Sequence, residues 1–182
     1  MELVLIRHGQ PDFSRVIKEA AWGIGVNFAP LSPVGVRQAE KVAHNEKLVG
    51  AELIVSSPYT RALETAAIIS RSTGLAIAVE PGLHEWLPDL ACLDSPDEEE
   101  VLSADFLSHK GRWPIGEVRR WETVDMMSQR VIAALNFYSK KNKIIAICHA
   151  AVIYHLTGVH TIPYCCVEQI DYDIFFKPRG WF

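Results

Sequence analysis

The chain begins with the stretch Leu3-Val4-Leu5-Ile6, which Arg7-His8-Gly9 follows directly. A short, continuous apolar run so close to the start of the chain does not favour a helix. It is typical of a strand that is buried on both faces. Such strands belong to parallel sheets, whose two faces are covered by helices. The opening stretch therefore predicts an α/β protein in which polar residues follow the first strand at once.

Three further apolar runs resemble the first, and each is bounded by polar residues, Gly or Pro. They are Leu53-Ile54-Val55, Ala76-Ile77-Ala78-Val79 and Ile144-Ile145-Ala146-Ile147. Helical stretches lie between these runs, and regular alternation of strands and helices is typical of an α/β fold with a mainly parallel sheet. We therefore expect residues 1–182 to form a single-domain three-layer αβα sandwich with helices on both faces of the sheet.

The helices are predicted from their start signals and from apolar residues at helical spacing. The first begins at Ser32-Pro33, a cap residue followed by Pro at the first helical position, and ends near Gly50. Ser57-Pro58 opens the second helix in the same way. A third covers residues 123–141, and a short last helix covers residues 151–156 before a glycine.

Alternate positions become apolar near the C-terminus. Residues on one face there are Ile170, Tyr172, Ile174 and Phe176. A period of two predicts a half-buried strand, which we expect at the edge of the sheet and antiparallel to its neighbour.

Residues 81–122, called the excursion below, show only weak periodicity. The segment carries four prolines and the tryptophans Trp86, Trp113 and Trp121. A long irregular stretch inside a compact domain usually forms a functional lid or cap. We therefore expect the excursion to be a small cap inserted into the domain.

Composition excludes several classes of protein. The 182 residues carry a net charge of −4, 49% of them are hydrophobic and 22% are charged, as in ordinary globular domains. No basic run suggests nucleic acid, and no segment suggests a membrane span or a secretion signal, so we expect a cytoplasmic protein without nucleic-acid or membrane partners. The sequence leaves the oligomeric state open. Its four cysteines are expected to be reduced thiols.

Polar clusters follow three of the predicted strands at the point where each ends. They are Arg7-His8-Gly9, the segment 56–61 with Arg61, and Cys148-His149-Ala150. Ligands of open parallel sheets bind outside the carboxyl ends of the strands, so we expect these clusters to meet. Two arginines beside a helix start favour a bound anion, phosphate above all.

A histidine in such an anion site can act as a nucleophile. The neutral imidazole of His8 could attack phosphorus while Arg7, Arg61 and His149 spread the charge of the transferring group. The reaction also needs a carboxyl group that protonates the leaving oxygen and then activates water. Glu85 is the candidate, since it follows a strand and lies beside a tryptophan that could raise its pKa; Asp89 is the alternative.

These residues resemble the histidine phosphatase superfamily, which includes the cofactor-dependent phosphoglycerate mutases. Arg7-His8-Gly9 resembles the R-H-G motif of the family, and Leu31–Ala39 resembles its L-[ST]-x-x-G-x-x-Q-A segment. Ser56–Ala66 is similar to S-S-x-x-x-R-A-x-x-T-A, Leu83-x-Glu85 is similar to the acid motif, and His149 stands where the second histidine belongs. The motifs occur in the family's order across both halves of the chain.

The resemblance implies a role for each site residue. His8 is the phosphorylated nucleophile, Arg7, Arg61 and His149 bind the phosphoryl group, and Glu85 is the proton donor. Ser14 stands where many members carry an asparagine that contacts phosphate, and we expect its hydroxyl to replace that contact. The resemblance implies neither a metal nor an organic cofactor.

We expect metal-independent hydrolysis of a small phosphorylated metabolite through phosphohistidine. Two alternatives remain: a mutase, and a phospho-ligand or phosphoprotein binding module without turnover. A mutase needs a basic cluster for a doubly phosphorylated ligand, and the excursion offers only Lys110, Arg112, Arg119 and Arg120.

The substrate stays open at this point. Sugar phosphates, nucleotide-loop precursors such as α-ribazole phosphate, and phosphoproteins are all compatible with the motifs. Acidic residues at Asp94 and 97–100 would disfavour a highly anionic ligand if they faced the site.

Overall fold

One five-stranded sheet forms the centre of the molecule. In the computed structural model, which describes residues 1–19, 22–93 and 95–181, its strands are β1 (Glu2–Arg7), β2 (Ile54–Ser56), β3 (Ile77–Val79), β4 (Lys143–Cys148) and β5 (Val167–Asp171). Their order across the sheet is β3-β2-β4-β1-β5. The first four strands are parallel, and β5 runs antiparallel to β1. The predicted mainly parallel sheet is confirmed.

Helices connect the strands. They are α1 (Ser14–Lys18), α2 (Pro33–Val42), α3 (Thr60–Thr73), α4 (Pro96–Ser108), α5 (Val124–Phe137) and α6 (Ala150–Thr157). Short 3₁₀ turns cover Gly23–Phe28, Glu46–Leu48 and Pro81–Leu83. None of the helices in the described part of the chain is long and apolar enough to cross a bilayer.

Helices cover both faces of the sheet because the strands are apolar on both faces. Leu3 and Leu5 of β1 lie in one core with residues of α5 and α6, whereas Val4 and Ile6 lie in a second core with residues of α2 and α3. All four side chains are fully buried, and each burial is worth about 1.5–3 kcal/mol. This arrangement confirms the three-layer sandwich and places the carboxyl ends of four strands at one edge.

Two helices differ from their predicted bounds for local reasons. Helix α2 ends at Val42 rather than near Gly50, because Asn45 caps a separate 3₁₀ turn with its side chain. Helix α3 begins at Thr60, two residues after the predicted start at Pro58. The Ser57 hydroxyl, the expected cap, accepts from Tyr59 N at 3.4 Å and also contacts the His149 ring.

The later elements confirm one bound and correct two. Helix α6 ends before Gly158, which adopts a left-handed conformation (φ 74°), as its sequence predicts. Helix α5 stops at Phe137, short of the predicted residue 141. The strand predicted over residues 170–176 from its alternating apolar residues is wrong in its bounds. Strand β5 ends at Asp171, because its partner β1 begins at Glu2.

The outer strand β3 was expected to be buried and is not. It pairs only with β2, and Ile77 and Val79 are 37% and 53% exposed. An apolar run alone does not tell a central strand from an edge strand, because the neighbour that would cover it is set by topology.

The excursion is more regular than predicted, because it contains the 13-residue helix α4. Ser95 and Glu98 form a capping box at its start. Only Phe106 is buried on this helix, whereas Val101 and Leu107 are exposed, so its apolar residues follow no helical stripe. Trp121 is fully buried and packs edge-on against Phe106 at 5.3 Å.

Candidate active site

The sheet brings the two histidines together. In the parallel register Arg7 of β1 lies beside Cys148 of β4, so the next residues, His8 and His149, leave the sheet side by side. Their ring centroids are 5.0 Å apart, and both residues are buried. Strand β2 ends on the same edge, and the Ser57 hydroxyl that follows it lies 2.8 Å from His149 Nε2.

The His8 ring is held in one tautomer. Its Nδ1 lies 2.7 Å from the Gly9 carbonyl oxygen, and since a carbonyl only accepts, Nδ1 carries the proton. Nε2 therefore presents its lone pair, which accepts a hydrogen bond from Arg61 Nε at 3.2 Å. Burial, helped by Arg61 and opposed by the Gly9 bond, lowers the pKa of His8 from 6.5 to about 3. The imidazole is neutral at physiological pH.

Backbone contacts fix the loop that carries His8. A methyl group on Gly9 would lie 2.6 Å from the Gly35 carbonyl oxygen, and one on Gly35 would overlap the Gln10 carbonyl. The two segments of the chain therefore meet backbone to backbone. Gly9 N also donates to Thr65 Oγ1 (3.0 Å), and Gln10 N donates to Gln38 Oε1 (2.9 Å). Two other segments singled out in the sequence, residues 31–39 and 56–66, therefore support the loop that carries His8.

Each arginine is placed by a carbonyl oxygen and an aromatic ring. Arg61 donates from Nη1 to Val26 O (3.3 Å), and its guanidinium lies 4.9 Å from the Tyr59 ring centroid. Arg7 donates from Nη1 to Ile162 O (2.6 Å) and lies 4.0 Å over the Tyr164 ring. Stacking and carbonyl contacts leave other N–H groups of both guanidinium forks for an anion.

His149 is also neutral, because it is fully buried. Burial, together with Arg61 and His8, lowers its pKa well below 6.5. Nδ1 is buried and has no hydrogen-bond partner among the described residues. The Tyr59 ring packs edge-on against it at 5.1 Å, so the orientation of the imidazole is set by Ser57 on one side and Tyr59 on the other.

Glu85 lies at the border of the excursion and the sheet edge. Oε1 accepts hydrogen bonds from Trp86 N (3.0 Å) and from Ala151 N at the start of α6 (3.2 Å). The hydrogen bonds described for the Glu85 carboxylate all go to Oε1. Burial raises the pKa of Glu85 above 4.5, although the two backbone bonds and Arg61 oppose that shift.

An ion pair that sequence reasoning missed holds the backbone around Glu85. Arg130 binds both carboxylate oxygens of Glu122, at 2.6 and 2.9 Å. The same guanidinium donates to the carbonyl oxygens of Gly82 and His84 (both 2.8 Å) and of Glu85 (3.2 Å). No local pattern marks Arg130, which sits in an ordinary amphipathic helix; only the fold brings it to this loop.

Glu122 completes this contact from the other side. Its Oε2 accepts from Leu87 N at 3.2 Å, and its carbonyl accepts from Trp86 Nε1 at 2.7 Å. Glu122 N also donates to Leu87 O (2.9 Å). The pair formed by Arg130 and Glu122 thus binds the chain both before and after Glu85.

Asp89, the alternative acid, has a different environment. It is buried, and its carboxylate binds Arg120 at 2.8 and 3.3 Å and accepts the backbone N–H groups of Ala91 and Leu93. These bonds, Arg120 first, lower the pKa of Asp89 to about 2. A carboxylate held in its ionised form has no proton to give, so the geometry favours Glu85 over Asp89.

Ser14 is the exposed member of the predicted site residues. It is exposed at the start of α1, where its N–H donates to Asp12 Oδ1 at 2.9 Å. None of the hydrogen bonds described for Ser14 reaches His8, Arg7 or Arg61.

Two cavities border the cluster of His8, Arg7, Arg61, His149 and Glu85. The larger, of about 580 Å³, is lined at the cluster by Arg7, Ala150 and Ala151. The smaller, of about 110 Å³, is lined by Arg61 and Glu85. In residues 1–19, 22–93 and 95–181, no three His, Cys, Asp or Glu side chains are grouped as a metal ion would require.

Comparison with known proteins agrees with the motifs and the sheet. The family model of the histidine phosphatase superfamily (branch 1) matches residues 3–164. The chain belongs to this superfamily. Among curated members, the probable phosphoglycerate mutase GpmB of Proteus mirabilis (strain HI4320) is 28% identical over 142 residues, which are 75% of this chain and 62% of that protein. The chain therefore spans less than two thirds of the length of the curated relatives it matches.

Solved structures of the superfamily share the fold. A mycobacterial glucosyl-3-phosphoglycerate phosphatase has a TM-score of 0.60 at 26% identity, covering 84% of this chain and 77% of that one. The alpha-ribazole phosphatase of Shigella flexneri has a TM-score of 0.67 at 22% identity, covering 100% and 96%. At 22% identity, the match to the alpha-ribazole phosphatase shows the fold of the histidine phosphatases and nothing about the substrate.

Proposed function

We propose that this member of the superfamily hydrolyses small phosphomonoesters through a phosphohistidine at His8, without a metal ion. The observation that carries the proposal is the state of His8: a neutral ring whose Nδ1–H is fixed on Gly9 and whose Nε2 lone pair faces a guanidinium. A lone pair held in this way can attack the phosphorus of a phosphate group, which the arginines also bind.

The first step transfers the phosphoryl group to His8. Phosphate oxygens draw the Arg61 N–H groups away from the imidazole and bind Arg7 as well, which frees Nε2. Nε2 then attacks phosphorus, the bond between phosphorus and the ester oxygen breaks, and Glu85 gives its proton to that oxygen. The raised pKa of Glu85 keeps this proton available at higher pH.

The second step returns the enzyme to its starting state. Glu85, now ionised, takes a proton from a water molecule, whose oxygen attacks phosphorus as the bond to Nε2 breaks. Inorganic phosphate leaves, and both Glu85 and His8 regain their initial protonation. The two arginines and His149 stabilise the charge on the phosphoryl oxygens in both steps.

The charges of the excursion support hydrolysis over mutase activity. A mutase must bind a second phosphate, yet Arg120 is paired with Asp89 and Glu98, and Arg119 is paired with Glu117. Acidic residues lie here as well: Glu98 binds Arg120, and Glu99 lines the smaller cavity. Asp94 lies outside the described residues. The mutase nevertheless remains the second candidate, because the curated relatives carry that name.

Phosphate release in the presence of EDTA tests the proposal. We expect the wild type to release phosphate from p-nitrophenyl phosphate between about pH 4.5 and 8, and the His8→Ala variant to release none. His44→Ala, which alters an exposed histidine, is the matched control and should keep full activity. Conversion of one phosphoglycerate into the other without phosphate release would favour the mutase. Binding of inorganic phosphate without either reaction would favour a binding module.

A further inference from the structure

The larger cavity is lined by Arg7, the arginine that follows the first strand and is expected to bind phosphate. Ala150 and Ala151 line it as well, and the Ala151 N–H donates to the Glu85 carboxylate. A phosphomonoester bound at Arg7 with its ester oxygen near Glu85 can therefore direct its organic group into this space. The inference drawn from this cavity rests on the function proposed above and specifies its substrate.

Aromatic rings form one wall of the cavity. The Tyr154 ring lies 4.9 Å from the His160 ring and 5.0 Å from the Trp181 ring, measured between centroids. Phe106 of the excursion packs edge-on against Trp181 at 5.1 Å. Tyr154, His160 and Trp181 all line the cavity, with Ile162 among the residues that complete the lining. Such a surface favours a flat apolar group, because rings gain from stacking and edge contacts.

The C-terminal segment 179–181 builds this wall by docking on α6. The N–H groups of Arg179 and Gly180 both donate to the His155 carbonyl oxygen, at 3.0 and 2.9 Å. A methyl group on Gly180 would overlap the Tyr154 carbonyl, so the close approach requires glycine. This docking places Trp181 against Tyr154, and both residues line the cavity.

Size and charge separate the two cavities. At about 580 Å³ the larger one falls within the range of pockets for small organic ligands, whereas about 110 Å³ is too little for a ring system. None of the described residues that line the larger cavity is acidic, and Arg7 is its only Lys or Arg among them. The smaller cavity is lined by Glu85, Asp89 and Glu99.

We propose that the larger cavity binds the organic group of the substrate, and that this group is a flat, uncharged aromatic or heteroaromatic ring on a short link to the phosphate. Trp181 and Tyr154 contact the ring, and Arg7 holds the phosphate. Residues 179–181 thus determine specificity although they lie far from His8 in the sequence. A short polyanionic ester such as a phosphoglycerate gains nothing from this wall.

Binding of phosphonates tests the pocket without requiring turnover. Titration calorimetry compares naphthylmethylphosphonate with methylphosphonate, which share the phosphonate and differ only in the ring. We expect the wild type to bind the naphthyl compound about 10-fold more tightly. Trp181→Ala and Gly180→Ala should each remove most of this difference and leave the affinity for methylphosphonate unchanged. Phe137→Ala, which alters an exposed ring on α5, is the control and should behave as wild type.

Two results overturn the proposal: equal affinity of the wild type for both phosphonates, or an equal loss for both in the Trp181→Ala and Gly180→Ala variants. Phosphate release from naphthylmethyl phosphate and methyl phosphate then separates this inference from the proposed function. Release from both esters with equal kcat/KM contradicts the ring pocket alone. Release from neither, with tight naphthyl binding, contradicts hydrolysis and supports the pocket.

Discussion

The two sides of the candidate site are built in different ways. The nucleophile side, residues 7–9, 57–61 and 149–151, consists of the segments at and just after the carboxyl ends of neighbouring strands, and its groups are set by backbone register and by the approach of Gly9 to Gly35. The acid side, residues 82–89, is held by side chains that arrive from elsewhere, above all Arg130 and Glu122. The first side is fixed by the fold itself, and the second by a buried ion pair.

This difference has a consequence for substitutions. A side chain that only projects from a rigid sheet edge can be removed with loss of activity and little loss of stability. A side chain that ties a loop to the core contributes to both, because its partner is left buried and unpaired when it is removed. Variants on the two sides should therefore separate or couple these two quantities.

After His8→Ala, Arg61→Ala is expected to have the largest effect on activity. Loss of the guanidinium that faces His8 removes charge stabilisation of the transferring phosphoryl group, and kcat/KM for p-nitrophenyl phosphate should fall about 1,000-fold. The midpoint of urea unfolding should change little. Arg15→Ala, an exposed arginine, serves as control. A fall in stability as large as the fall in activity would break the distinction between the two sides.

Arg130→Met should affect stability most. It leaves the Glu122 carboxylate buried without its partner, which costs about 3–5 kcal/mol of unfolding free energy in urea titrations. Replacing both members, as Arg130→Met with Glu122→Leu, should recover part of this loss. If Arg130 positions the acid, the single variant also loses more activity on methyl phosphate than on p-nitrophenyl phosphate. Equal losses on the two esters would leave the pair with a structural role only.

Glu85→Gln tests the acid directly. Without a proton donor, esters with poor leaving groups suffer most, and kcat/KM for methyl phosphate should fall about 100-fold more than that for p-nitrophenyl phosphate. Asp89→Asn is the matched variant, and we expect no such dependence on the leaving group, because Asp89 is bound to Arg120. The opposite pattern would assign the proton transfer to Asp89.

The dependence of the free energy of unfolding on pH in the acid range gives the smallest effect. His8 and Glu85 contribute to it with opposite signs. His8 has a folded pKa of about 3 against 6.5 when unfolded, so the unfolded state binds more protons and stability falls as pH drops below about 6.5. One histidine contributes up to about 1.4 kcal/mol per pH unit. His8→Gln should flatten this fall between about pH 6 and 4.5. Glu85, with a raised pKa, gains stability in acid, so Glu85→Gln should steepen it.

Unfolding in urea at several pH values measures both slopes. A steeper fall in His8→Gln would show that the ring is charged in the folded protein. His44→Gln, at an exposed position, controls for the loss of a histidine as such.

The nucleophile side could be predicted from the sequence because its groups lie at or shortly after the ends of strands. The strands were recognisable as apolar runs, and the edge to which parallel strands point is a property of the fold class. The order of the motifs then paired His8 with His149 and Arg61, and the structure places these residues within contact of one another.

The acid side and the excursion could not be predicted in the same way. Arg130 lies 45 residues from the Glu85 carbonyl that it binds, and nothing in its local sequence marks the contact. Helix α4 was missed because its exposed Val101 and Leu107 follow no amphipathic pattern. The phosphate contact expected of Ser14 stays a prediction: its spacing from His8 can be read from the sequence, but the direction of the chain after Asp12 cannot.

The central claim is that His8 carries the phosphoryl group during turnover. Mixing the protein with p-nitrophenyl phosphate, quenching in alkali and sequencing the phosphorylated peptide by mass spectrometry tests it most directly. We expect one acid-labile, alkali-stable phosphoryl group on His8, absent from His8→Ala and present in the His44→Ala control. Phosphate release by a protein that shows no such group, or that carries it on another residue, would contradict the account.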